Sequence, residues 1–361
     1  PAVNISEQNR VIDGTGTTFT WMREDGTPLT TAEVDCKDGA TIFLDTTIGK
    51  VYCRMDNPAF PAFTGENSFV TTLTTVVDAP TKVVASFTTT TSTDGATVIF
   101  RGSKKTALYI DWRGDGTEYK QYPVEATGYI AYAGQQTYEG AKVKIYTYDD
   151  ASDITVFSIY GAPMKALDAS NLTGLKAFSI GGCDIDEDNI RMPAATGLEE
   201  INLSANNFSR MNFAEYTSLR MLNISNNAYT SFDASKIPSL QSFFADSNKI
   251  SELQLGNAAL WNLSVNSNPL ESLQLTGVPS LSQLTANNCS LSAIDLSPVR
   301  TKLQVLTLEG NRFRFSTLPR VADLPSLLYY TYANQADVEV TNADGTVDLS
   351  SEASVSGIPT T

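Results

Sequence analysis

The chain contains no histidine. That removes the usual general base, the Ser-His and Cys-His nucleophile pairs, and the commonest metal ligand. Four cysteines remain, without a C-x-x-C spacing, so no zinc site is expected. Cys36 and Cys53 are close enough in sequence for a disulfide in an oxidising compartment. Asp184-Ile-Asp-Glu-Asp-Asn189 opens like a calcium loop. The template then requires Gly at its sixth position and Glu at its twelfth, where Asn189 and Ala195 stand, so it reads as a solvated acidic loop. Arg113-Gly114-Asp115 is an adhesion-type tripeptide, but its glycine and aspartate suit a tight turn equally well. A carboxylate-dependent glycan hydrolase needs two acids about 5–10 Å apart. Asp246 and Glu309 would stand roughly 14 Å apart, so catalysis is not expected. No catalytic residue, cofactor or metal site is assigned.

These residues sit in a repeating frame. Nine copies of L-x-x-L-x-L-x-x-[NC]-x-L begin at Ile154, Leu175, Leu198, Leu219, Leu240, Leu260, Leu281, Leu303 and Leu327. Their spacings are 21, 23, 21, 21, 20, 21, 22 and 24 residues. A period in the low twenties with this signature specifies a leucine-rich-repeat solenoid. Positions 4 and 6 of each copy are apolar and should point inward, from Phe157/Ile159 to Tyr330/Tyr332. Nine parallel strands at about 4.8 Å spacing would give a concave sheet on the order of 40 Å long. Position 9 holds Asn206, Asn227, Asn248, Asn268 and Asn311, with Cys183 and Cys289 in two repeats. An inward amide there can satisfy backbone groups where the chain leaves the strand. The segments between strands are short and carry Pro or Gly, leaving no room for a convex helix.

Positions 3, 5 and 7 should face the concave solvent side. They are mostly Ser, Thr and Asn, interrupted by Met221, Phe244 and, at position 2, Trp261. Aromatic anchors dominate binding energy, so this trio marks a candidate site. Asn202, Asn223, Asp246, Ser264 and Asn266 would surround it with hydrogen-bonding groups. The plainer reading is that Phe244 and Trp261 cover a local packing gap. Sequons such as Asn202-Leu-Ser204 and Asn223-Ile-Ser225 recur because the repeat consensus contains them.

Ahead of the repeats, residues 1–80 show short strands separated by Glu24-Asp-Gly-Thr-Pro28, Lys37-Asp-Gly39 and Asn57-Pro58. Trp21 with the later Val51-Tyr-Cys53 resembles an immunoglobulin-like β-sandwich, although no cysteine precedes Trp21. Residues 81–150 form a second β unit containing Ile110-Asp-Trp-Arg-Gly-Asp-Gly-Thr117. This resembles the turn of polycystic-kidney-disease-like domains and is assigned as the cover of the first repeat. Residues 151–335 are the solenoid. Residues 336–361 lose the pattern and read as a tail, the possible start of a further β domain. The expected class is mainly β, with little helix. The assembly resembles surface leucine-rich-repeat proteins of the Bacteroidetes type, with short internalin-like repeats.

That resemblance implies an extracellular or cell-surface recognition or adhesion protein with a protein or glycan ligand; the oligomeric state is left open, with a monomer favoured. A structural spacer in a larger surface assembly is the alternative. The formal charge of −15, from 25 basic and 40 acidic residues, argues against nucleic acid and anionic lipid. No run of 18 apolar residues occurs. With Pro1 first, the chain reads as a mature or trimmed form whose targeting segment has been removed.

Overall fold

The computed structural model describes side chains over 18–30, 51–56, 82–91, 96–103, 108–116, 139–147 and 150–337, and the backbone of the further strands named below. The chain divides into two compact units, Pro1–Lys82 and Val83–Thr361.

The first unit is built of antiparallel strands. Thr18–Arg23 pairs with Lys50–Asp56, which also pairs with Phe69–Val70 and Thr74–Thr75. In this register Trp21 lies opposite Cys53, and both side chains are buried. Ala2–Asn4, Thr41–Leu44 and Val34–Cys36 form a separate three-stranded sheet. The side chain of Cys36 lies outside the described residues, so the expected Cys36–Cys53 disulfide does too.

The second unit is organised around one sheet of eleven strands. Its nine parallel members are the repeats: Ile154–Tyr160, Ala177–Gly181, Glu200–Asn202, Met221–Asn223, Ser242–Phe244, Asn262–Ser264, Gln283–Thr285, Val305–Thr307 and Tyr329–Thr331. Position pairs with like position from coil to coil, as Leu222 with Phe243 and Phe243 with Leu263. The sheet is continued antiparallel beyond Ile154–Tyr160 by Thr93–Gly102 and then Ile130–Thr137. A second sheet runs Lys120–Val124, Thr106–Asp111, Lys142–Thr147, Lys82–Thr89, Met164–Asp168, Ile190–Arg191. The first coil therefore shares both its sheets with residues 82–147, and its core is closed on that side.

One hydrophobic core runs without a break from Val84 to Leu324. A repeat cannot bury its own apolar face, so each coil is stabilised by its neighbours. Positions 4 and 6 of the first eight repeats are all buried. Each Phe, Leu, Ile or Val among them contributes about 1.5–3 kcal/mol relative to exposure; Ala245 and Ala286 contribute less. The convex side is extended or tightly turned: Ser231–Asp233 pairs with Glu252–Gln254, and Ala234–Lys236 is a single 3₁₀ turn. The coils are too short for anything wider.

The ninth repeat departs from the pattern. Tyr332 was expected to point inward, yet it is 48% exposed, and Tyr330 is half-buried against it with ring centroids 4.9 Å apart. Inward positions become buried only when a following coil covers them, and among the described residues none follows. Leu328 at 81% and Tyr329 at 57% exposure belong to the same open end. Of the tail, Ser354–Val355 and Ile358–Pro359 form a two-stranded ladder, and the rest beyond Asp337 lies outside the described residues.

Candidate functional site

The backbone turns out of each concave strand by the same device. Position 8 takes a left-handed conformation in all nine coils, at Gly161, Gly182, Ala205, Asn226, Ser247, Ser267, Asn288, Gly310 and Asn334, with φ between 51° and 66°. Only Gly enters this region freely, and Asn tolerates it. The column reads Gly or Asn in six coils, a turn signal that the L-x-x-L template does not contain.

Position 9 then anchors the turn from inside. Asn248 Nδ2 donates to the carbonyls of Ile224, Ala245 and Asp246, while its Oδ1 accepts the N–H of Tyr229. Asn206, Asn227, Asn268 and Asn311 repeat this arrangement. Gln335 fills the slot in the last coil, donating to Leu308 O and accepting from Phe313 N. The thiols reproduce only the donor half: Cys289 Sγ faces Val265 O at 3.3 Å, and Cys183 Sγ faces Gly181 O at 3.4 Å. The amide that would otherwise lack an acceptor is satisfied by backbone, Leu270 N by Asn268 O and Met164 N by Cys183 O. Burial pushes both thiols up to about 11.

The concave face holds a second ladder. The backbone N–H at position 7 is capped by a side-chain oxygen in six successive coils. Asn202 caps Ser204 and Asn223 caps Ser225, each two residues on in its own strand. Beyond that point the cap comes from the preceding coil. Ser225 Oγ accepts from Asp246 N, Asp246 Oδ1 from Asn266 N, Asn266 Oδ1 from Asn287 N, and Asn287 Oδ1 from Glu309 N. Ser264 Oγ donates to Asp246 at 2.6 Å and lies 2.7 Å from Thr285 Oγ1. Asn266 Nδ2 reaches both hydroxyls.

The candidate residues therefore fall into two groups. Asn202, Asn223, Asp246, Ser264 and Asn266 lie on the concave face, and each is engaged by the sheet itself, Ser264 to the point of burial. Met221, Phe244 and Trp261 occupy three adjacent strands but different columns. The register sets Met221 against Ser242 and Asn223 against Phe244, so Met221 and Phe244 are diagonal neighbours, within side-chain reach. Trp261, 42% exposed, lies about 11 Å from Phe244 by strand geometry. Phe244 and Met221 are half-buried.

The other motifs are absorbed by the scaffold. Asp186 caps Asp188 and Asn189, Glu187 holds Ser209, and Arg210 bridges Glu187 and Asp188. Among the described residues no group of three His, Cys, Asp or Glu is placed to hold a metal ion. In the Asp111–Gly116 turn, the buried Asp111 carboxylate accepts the N–H of Gly114 and of Gly116, both at positive φ. A Cβ on Gly114 would meet the Lys142 carbonyl oxygen at 2.2 Å. The glycine of Arg113-Gly114-Asp115 is thus fixed by the turn.

Coil, ladder and concave sheet together define a leucine-rich-repeat solenoid. No family model and no curated protein matches the chain. Among solved structures, the chain is similar to the functional domain of InlJ from Listeria monocytogenes, which includes a cysteine ladder. That match has 18% identity, covers 56% of this chain and 49% of InlJ, and has a TM-score of 0.43. Internalin C2 from Listeria monocytogenes matches at 20% identity, 52% and 85% coverage, and TM-score 0.42. The leucine-rich repeat domain of APL1B matches at 21%, 46% and 49%, and 0.39. The chain spans about half the length of the InlJ and APL1B structures it matches.

Proposed function

We propose that the chain is a non-enzymatic recognition module that acts outside the cell or on its surface and binds a protein or a glycan on the concave face. The observation carrying this reading is the apolar break made by the half-buried Met221 and Phe244, with the exposed Trp261 on the next coil, in a face whose position 5 is Ser, Thr or Asn in every other coil. Exposed aromatics on a rigid sheet lose little conformational entropy on binding and act as anchors. Acidic composition disfavours nucleic acid and anionic membranes as partners. No helix among the described residues is long and apolar enough to cross a membrane. Catalysis by Asp246 fits poorly, because its carboxylate is committed to Ser264 and Asn266.

The test is a glycan and protein array probed with the purified chain, followed by Phe244→Ser/Trp261→Ser. With far-ultraviolet circular dichroism unchanged, the double variant should bind at least about tenfold more weakly, the equivalent of 1.4 kcal/mol. Undiminished affinity rejects the site. A second reading, a spacer within a larger surface assembly, is favoured by the ladder itself, since the polar side chains of this face serve the sheet. An array on which the chain finds no ligand supports that reading.

A further inference from the structure

Positions 2 and 3 stand where each coil enters its concave strand, and in coils five to eight they differ from the rest of the face. Position 2 forms its own backbone row: Trp261 N donates to Gln241 O, Ser282 N to Trp261 O, and Gln304 N to Ser282 O. Asn262 and Gln283 pair in the adjoining row of position 3. Four side-chain amides, of Gln241, Asn262, Gln283 and Gln304, thus flank Trp261. Asp246, Ser264 and Asn266 are tied into the sheet, but these four amides and the Trp261 indole N–H make no hydrogen bond among the described residues. Positions 2 and 3 of these coils carry no charge, whereas those of coils two to four hold Lys176, Glu199, Glu200 and Arg220. Trp261 is 42% exposed, while Trp21 and Trp112 are buried, so it alone of the three tryptophans offers an accessible indole.

We propose that this rim binds a neutral β-1,4-linked glycan chain, with one pyranose ring stacked on Trp261 and its neighbours held by the amides. The inference deepens the concave-face reading proposed above and rests on it. An exposed indole offers a π face to the C–H groups of a sugar ring and an N–H to its oxygens. Each side-chain amide is donor and acceptor at once, which suits a pair of vicinal hydroxyls. The spacing then selects the ligand. Adjacent coils are about 4.8 Å apart, and a β-1,4-linked pyranose chain advances about one such step per ring, so successive rings meet successive coils. An extended peptide advances about 3.3 Å per residue and falls out of step with the rows. Nor can it add as a strand here, because Asn262–Ser264 and Gln283–Thr285 are each paired on both edges. An anionic glycan would meet no cation at positions 2 and 3 of these coils.

Intrinsic fluorescence of the full chain tests this, because Trp261 is the exposed member of the three tryptophans. Cellotetraose, xylotetraose, mannotetraose and the tetramer of N-acetylglucosamine are the probes, with maltotetraose (α-linked) and tetragalacturonate (charged) as controls. At least one probe should shield Trp261 from acrylamide quenching at millimolar concentration or below, and its monosaccharide should bind at least about tenfold more weakly. In calorimetry with that probe, Trp261→Ala should bind at least about tenfold more weakly, as an anchor does. Gln283→Ala should weaken binding about three- to tenfold, the worth of one hydrogen bond, and thermal unfolding should stay level in both variants. The proposal is overturned if no probe shields the indole, if maltotetraose or tetragalacturonate binds as tightly as the probes, or if Trp261→Ala binds undiminished. A protein ligand that loses affinity in Phe244→Ser/Trp261→Ser, with no tetrasaccharide bound, overturns this inference and leaves the concave-face reading standing.

Discussion

The amide oxygen of Asn266 accepts the backbone N–H of Asn287, one coil further on, at 2.8 Å. This contact lies on the face turned to solvent, where a ligand would also sit, and it is one rung of a ladder running from Ser225 to Glu309. The side chains of position 7 therefore hold adjacent coils together. Asn266→Ala removes the acceptor for Asn287 N and the amide that reaches Ser264 and Thr285. The expected loss is about 1–2 kcal/mol, because a half-buried donor is left without its partner. Urea unfolding checks it. An unchanged midpoint would mean that water replaces the rung at no cost, and the face would then be free to serve a ligand alone.

The inner ladder should respond more strongly. Asn248 donates to three carbonyls and accepts from Tyr229 N in the buried interior. Cysteine fits the donor half of this slot at 183 and 289, where backbone carbonyls satisfy the N–H that the thiol cannot. At 248 no such substitute exists for Tyr229 N. Asn248→Cys should therefore cost about 1–3 kcal/mol, whereas the native thiols carry no comparable penalty. Equal stability of Asn248→Cys and the native chain in denaturant titration would contradict this account of why two coils tolerate cysteine.

Position 8 offers the opposite sign. Ala205, Ser247 and Ser267 hold φ of 56°, 53° and 56°, a region strained for a side chain bearing Cβ. Replacing any of them by Gly relieves strain in the folded chain and adds entropy to the unfolded one. Strain outweighs entropy here, so each change should raise stability by about 0.5–1 kcal/mol. Gly310→Ala should do the reverse, since its Cβ would meet Asn288 Oδ1 at 2.2 Å. Differential scanning calorimetry reads both directions. A fall on Ala205→Gly would show that the turn is not strained.

Periodicity made the solenoid legible because burial follows position so strictly: columns 4 and 6 are buried in every covered coil, and column 9 in every one but that of the half-buried Asn227. It could not show where periodicity stops mattering. Tyr332 has an inward position but, among the described residues, no following coil over it, so its pattern and its exposure disagree. The concave columns were legible as a face, but not in their partners. Asp246, Ser264 and Asn266 read as polar groups awaiting a ligand, and the rungs they form depend on the neighbouring coil's backbone, which the sequence does not display. The buried hydroxyl of Tyr229 gave no signal at all. Tyr229 occupies position 11, an apolar slot in every other covered coil, and its extra hydroxyl looks from the sequence like a tolerated Phe.

The two inner thiols make stability depend on alkaline pH in a definable window. Burial, reinforced by Asp184 near Cys183 and Asp246 near Cys289, raises both from 9.0 to about 11. Below pH 9 the thiols are protonated in the folded and unfolded chain alike, so they add no pH dependence. Between pH 9 and 11 the unfolded thiols lose their protons while the folded ones keep them. The unfolded state then binds fewer protons, and stability falls as pH rises. The loss approaches about 2 kcal/mol per thiol by pH 11, from a two-unit shift at 1.36 kcal/mol per unit. Tyr216, Tyr229 and Tyr330 are also raised, chiefly by burial, and extend the fall above pH 10. Cys183→Ala/Cys289→Ala lowers stability at neutral pH through lost packing, but it removes the thiol contribution to the slope. The difference between native and variant should therefore shrink from pH 9 to 11 when followed by urea titration. A constant difference across that range would show that the buried thiols titrate as they do in the unfolded chain.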